Sequence, residues 1–83
     1  MKYVYLLQSI NDPSKRYVGL TDNLQKRLDE HNAGKSAHTS RHALWEITVA
    51  IQFRDEQRAF DFEKYIKSGS GHAFAKRHFW PSL

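Results

Sequence analysis

Between Trp45 and Phe53 the chain reads Trp-Glu-Ile-Thr-Val-Ala-Ile-Gln-Phe. Trp45, Ile47, Val49, Ile51 and Phe53 alternate with Glu46, Thr48, Ala50 and Gln52. A period of two is the pattern of a strand with one buried face. This feature constrains the fold most, because such a strand needs neighbouring strands for its backbone groups and a cover for its apolar side.

Partners for it lie upstream. Tyr3-Val4-Tyr5-Leu6-Leu7 is rich in strand formers. Asn11-Asp12-Pro13-Ser14 is a strong turn signal. Arg16-Tyr17-Val18-Gly19-Leu20 then reads as a second strand, so the two form a hairpin with a longish loop. The covering elements are helical. Thr21 or Asp22 caps a helix that Gly34 ends, with Leu24 and Leu28 as its apolar stripe. A polar loop follows, from Lys35 to about His42. Asp55 caps a second helix, with Ala59, Phe62 and Ile66 in its stripe and Gly69 and Gly71 terminating it. A last short helix is expected from about Ser70 to His78, stopped by Pro81. The order is strand, strand, helix, strand, helix, helix. This describes an α/β (α+β) domain in which helices cover a three-stranded sheet.

The length of 83 residues predicts a single domain over 1–83. Two Trp, four Tyr and five Phe supply a core. The chain has no Cys, which excludes disulfides and thiolate metal sites and favours a reducing, cytoplasmic setting. No stretch approaches a membrane span, and the apolar start is too short for a signal peptide. Lys and Arg outnumber Asp and Glu by 13 to 9, a net charge of +4 that points weakly toward a polyanionic partner.

Glu63 is the most informative single residue. Ala59 lies four residues before it and Ile66 three after it, so the carboxylate falls in an apolar stripe. There it is costly without a partner. Either it sits at the edge of the stripe and reaches water or a cation, or it is a metal ligand. A lone carboxylate suits Mg²⁺, which keeps most of its waters. Tyr3 and Tyr5 share one strand face, as do Tyr17 and Gly19. Strand tyrosines are commonly packing residues. A free phenol, with a pKa near ~10, becomes a base near neutral pH only beside a cation or metal. Gly19 leaves space for a substrate backbone or marks a bulge. Arg27 and His31 share one side of their helix; each is either an ordinary surface cation or part of a phosphate site. Residues 34–42 mix cations with small hydroxyls, a composition suited to phosphate contacts or to a plain polar loop. His38 and His42 are spaced for zinc, but without Cys or an HExxH pattern zinc is not expected. Lys76, Arg77 and His78 form a second basic cluster. Phe79 and Trp80 are either an exposed handle or, as favoured here, part of the core.

Taken together, Tyr3-Val4-Tyr5, Tyr17-Val18-Gly19, Arg27 on the next helix and Glu63 on a later one resemble the GIY-YIG nuclease family. The "Arg-Leu-x-x-His-Asn-x-Gly" stretch from Arg27 to Gly34 strengthens the likeness, which covers nearly the whole chain. It is most similar to small stand-alone members related to the catalytic domain of the bacterial excision-repair nuclease. The resemblance implies a three-stranded antiparallel sheet flanked by helices. It also implies hydrolysis of DNA phosphodiester bonds with one divalent ion, Mg²⁺ or Mn²⁺, in DNA repair or recombination. By the same resemblance Glu63 is the metal ligand, Tyr17 activates water and Arg27 stabilises phosphate charge. Tyr5 positions water and phosphate, and His31 is a proton relay or base. Lys35, Arg41, Lys76 and Arg77 are the expected nucleic-acid contacts. Two departures stand out. Tyr3 occupies the first motif's glycine position, and Ser70 to Phe79 contains no Asn where several members carry one, with Ala75 near that place. The second departure motivates an alternative, a nucleic-acid-binding domain of the same fold with little or no catalytic activity.

Overall fold

The structure, a computed structural model, describes residues 1–81. The strands are β1 (Lys2–Ser9), β2 (Arg16–Thr21) and β3 (Trp45–Phe53), and the helices are α1 (Leu24–Asn32), α2 (Glu56–Ile66) and α3 (Gly69–His78). The strands form one antiparallel sheet in the order β2-β1-β3, so β1 is central and β2 is an edge. This is the expected α+β architecture.

Local chemistry explains most boundaries. Asp55 accepts the backbone N–H groups of Gln57 and Arg58 and opens α2, as expected. Asn23, rather than Thr21 or Asp22, caps α1 by accepting the Lys26 N–H at 3.1 Å. Thr21 still belongs to β2, and its hydroxyl instead accepts the Asn23 N–H. Gly34, at φ +77°, closes α1. The Lys35 N–H reaches the Glu30 carbonyl and the Gly34 N–H reaches that of His31, a Schellman ending.

Gly69 and Gly71 do not end α2 but lie inside α3. Ser68 caps α3 by accepting the Gly71 N–H. A Cβ at Gly71 would overlap the Tyr65 carbonyl, so the missing side chain lets α3 begin tightly against the end of α2.

The sheet carries a separate core on each face. Val4 and Leu6 point one way, toward Ala59, Ile66 and Ala75 of α2 and α3. Tyr5 and Leu7 point the other way, toward Trp45 with Leu24 and Leu28 of α1. The alternation in β3 does not stay on one face. Leu6 pairs with Val49 but Leu7 pairs with Ile47, leaving Thr48 as an extra residue in a bulge. Trp45 and Ile47 therefore pack on the α1 side, while Phe53 packs on the α2–α3 side. Phe79 and Trp80 fold back against the α2–α3 core.

Candidate active site

The register of the hairpin assembles the tyrosines. Tyr5 pairs with Gly19, and Leu7 pairs with Tyr17, so all four lie on the α1 face. The Tyr5 ring lies over Gly19, where a Cβ would overlap the phenol. The glycine is thus explained by its cross-strand neighbour, and neither a bulge nor substrate approach is needed. Above the tyrosines, one turn apart on α1, stand Arg27 and His31. The Tyr17 and His31 rings meet edge-on at 4.9 Å, and the Tyr5 and Tyr17 rings are 6.2 Å apart.

His31 is fully buried. Its Nε2 is hydrogen-bonded to the Tyr5 hydroxyl at 2.9 Å and its Nδ1 to Thr39 Oγ1 at 2.6 Å. Burial, and then the nearby Arg27 charge, push its pKa down to about 4, so the imidazole is neutral at pH 7. A neutral imidazole has one donor and one acceptor nitrogen, so a proton accepted at one end of the Thr39–His31–Tyr5 chain is matched by one donated at the other. Tyr5 is 2% exposed. Burial raises its pKa to about 12 against the opposing effect of the Arg27 guanidinium beside it, so the phenol keeps its proton. Arg27 is half-buried, and its Nη1 donates to Glu30 Oε1 at 3.1 Å. Tyr17, on the edge strand, is half-buried and also lines the cleft between β2 and the α2–α3 pair.

Two further residues, Thr39 and the Asn32 of the quoted stretch, support the same region. Thr39 orients His31 from across the polar loop, and no fixed spacing links them. Asn32 joins the end of α1 to β3: its Nδ2 donates to the Trp45 carbonyl at 3.1 Å and its Oδ1 accepts the Trp45 N–H at 2.6 Å. Trp45 in turn donates from Nε1 to the Thr39 carbonyl at 2.7 Å. The Arg-Leu-x-x-His-Asn-x-Gly spacing thereby places Arg27 beside Tyr5, Leu28 in the core, His31 on Tyr5, Asn32 on β3 and Gly34 at the helix end.

Glu63 lies on the opposite side of the sheet, on α2, which packs against β1 and β2. Its side chain is 20% exposed and meets Lys67 Nζ at 2.6 Å, one helical turn on. Lys67 lines the same cleft as Tyr17. Among the described residues no group of three or more His, Cys, Asp or Glu side chains comes together. One accessible carboxylate still fits a hard ion that keeps most of its waters and relies on substrate phosphate oxygens. The expected nucleic-acid contacts are dispersed. Lys76 lines the cleft with Tyr17. Lys35 borders a shallow depression beside Asp29 and Glu30 at the end of α1. Arg41 and Arg77 are exposed elsewhere, on the 3-10 turn Ser40–His42 and on α3.

The family model of the GIY-YIG catalytic domain matches residues 1–77. The structure-specific endonuclease subunit slx1 of Talaromyces marneffei is 38% identical over 65 residues, covering 71% of this chain and 17% of the relative. The structure-specific endonuclease subunit SLX1 of Debaryomyces hansenii is 33% identical over 82 residues, covering 90% of this chain and 22% of the relative. A UPF0213 protein of Bacillus cereus is 31% identical over 67 residues, covering 80% of this chain and 69% of that protein. The chain thus spans about a fifth of the two endonuclease subunits and most of the third relative. It belongs to the GIY-YIG catalytic domain family.

Proposed function

We propose that this chain, as a member of the GIY-YIG family, is a metal-dependent endonuclease domain that hydrolyses DNA phosphodiester bonds, in repair or recombination. The observation that carries this reading is the convergence of Tyr5, Tyr17, Arg27 and His31 on the α1 face of the sheet, with Tyr17 also lining the cleft that Lys67, the partner of Glu63, lines.

The roles follow from exposure and charge. Arg27 offers a planar fork to phosphate oxygens and stabilises the charge that develops on them. Tyr17 has the more accessible of the two phenols and orients the attacking water. Tyr5 is held protonated and braced by His31, so its single O–H is a donor and it does not act as a base. His31 acts through Tyr5 as a positioning residue, since its buried nitrogens are already engaged by Tyr5 and Thr39. A divalent ion, Mg²⁺ or Mn²⁺, held by Glu63 would polarise the scissile phosphate and stabilise the leaving oxygen.

The test is nicking of branched, flapped and linear DNA with either ion. Glu63→Gln and Arg27→Ala should each lower the rate by about a hundredfold or more while leaving the fold intact. Cleavage that survives either change would remove the assignment. The Glu63–Lys67 ion pair favours a second reading, a domain that binds DNA and cuts little. A wild type that binds DNA but shows no metal site at Glu63 by titration would select that reading.

A further inference from the structure

The cleft between β2 and the α2–α3 pair has a volume of about 430 Å³ and an apolar floor that includes Ile66 and Ala75. Its rim carries Arg16, Lys67, Lys76 and His72, and none of its lining residues is acidic. Trp80 forms one wall. The Arg16 guanidinium carbon lies 4.8 Å from the centre of the Trp80 ring, and its Nη2 donates to the Pro81 carbonyl at 3.3 Å. Arg16 Nε is buried and has no hydrogen-bond partner among the described residues. An apolar slot, a cation-stacked indole and rim cations from Arg16, Lys67 and Lys76 match a base and its phosphates.

We propose that this cleft holds one unstacked nucleotide of a single DNA strand beside the scissile phosphate. The base enters the slot against Trp80, while Lys67, Lys76 and His72 meet the flanking phosphates. A few hundred cubic ångströms accommodate a single nucleotide, whereas a base kept in a duplex stack cannot turn into such a slot. Tyr17 is the shared wall, since it lines the cleft and touches the His31 ring. The proposal rests on the nuclease reading and specifies the form of its substrate: DNA with a single-stranded segment at the cut.

The experiment is fluorescence anisotropy of the full chain with a labelled single-stranded deoxyoligonucleotide and with its blunt duplex, both in EDTA. The single strand should bind more tightly and quench Trp80 emission, while the buried Trp45 reports that the fold is kept. Trp80→Ala should weaken single-strand binding on the order of tenfold and duplex binding by less than about twofold. Because Trp80 also packs on the core, Lys76→Glu at an exposed position provides the second variant. It should weaken single-strand binding more than duplex binding and lower the log–log salt slope by roughly 0.7. Equal losses on both DNAs, or no loss, in a folded variant would overturn the proposal. Cleavage measured in parallel separates the two readings. A wild type that cuts while both variants bind normally rejects the cleft alone. A wild type that does not cut yet binds single strands through Trp80 rejects the nuclease assignment alone.

Discussion

The two faces of the sheet are built on different physical terms, although β1 feeds both. The α2–α3 face is dry: Val4, Leu6, Ala59, Ile66 and Ala75 pack without a polar side chain among them. The α1 face surrounds Tyr5, Leu7 and Trp45 with polar groups, and His31 and Thr39 are fully buried within it. The first face owes its stability to area removed from water and to close packing. The second depends on every buried donor and acceptor being paired, which specifies geometry but leaves little tolerance for a missing partner. The candidate catalytic tyrosines and Arg27 stand on the second face. Glu63, the candidate metal ligand, is on the other side, on α2.

That division can be broken or sharpened by experiment. Leu6→Ala on the dry face should cost about 2–5 kcal/mol in urea unfolding, the largest single loss. A smaller cost than that of the polar-face variant below would break the comparison. Acid should act on the other face. His31 has an ordinary pKa of 6.5 when unfolded and about 4 when folded, so the unfolded chain binds the proton first. Stability from this group is intact above about pH 6.5 and falls as the pH drops toward 4, by roughly 3 kcal/mol in all, with no further loss below. Denaturation titrations across that window, with His31→Phe as the variant that should flatten them, check the sign and the size.

Thr39→Val keeps the shape but leaves His31 Nδ1 without a partner, and should cost about 1–3 kcal/mol. Thr39→Ser should restore most of that loss, which a purely packing role would not predict. Lys67→Ala should change stability by no more than about 0.5 kcal/mol, because Lys67 is exposed and meets Glu63 in an i,i+4 contact. Calorimetry of the same variant should show tighter Mg²⁺ binding if Glu63 is the ligand.

Features governed by neighbours in sequence were legible before the structure. Asp55 as a cap, Gly34 as a helix end and the three strands follow from local chemistry alone. Tyr5, Tyr17, Arg27 and His31 could be named because strand and helix periods place each on a definable face. What could not be read depends on other elements. Three capping residues stand in a row at 21–23, and the pairing of β2 decides among them. Gly69 and Gly71 look like helix stops, but the tight approach of α3 to α2 uses Gly71 inside a helix. Thr39 meets His31 through the fold of a loop that has no periodicity.

Thr48 carries a consequence for the whole second face. Counted along β3, it acts as a phase shift: residues before and after it answer to different sides of the sheet. Removing it would restore a single phase and swing Trp45 and Ile47 away from α1. Trp45 would then release the Thr39 carbonyl, Thr39 would no longer seat His31, and the Tyr5 phenol would lose its brace. One surplus residue in a strand that contributes no candidate catalytic group therefore keeps the tyrosine site in step with its support. A Thr48 deletion should be read out as loss of the near-ultraviolet dichroism of Trp45 while the helices of the dry face persist.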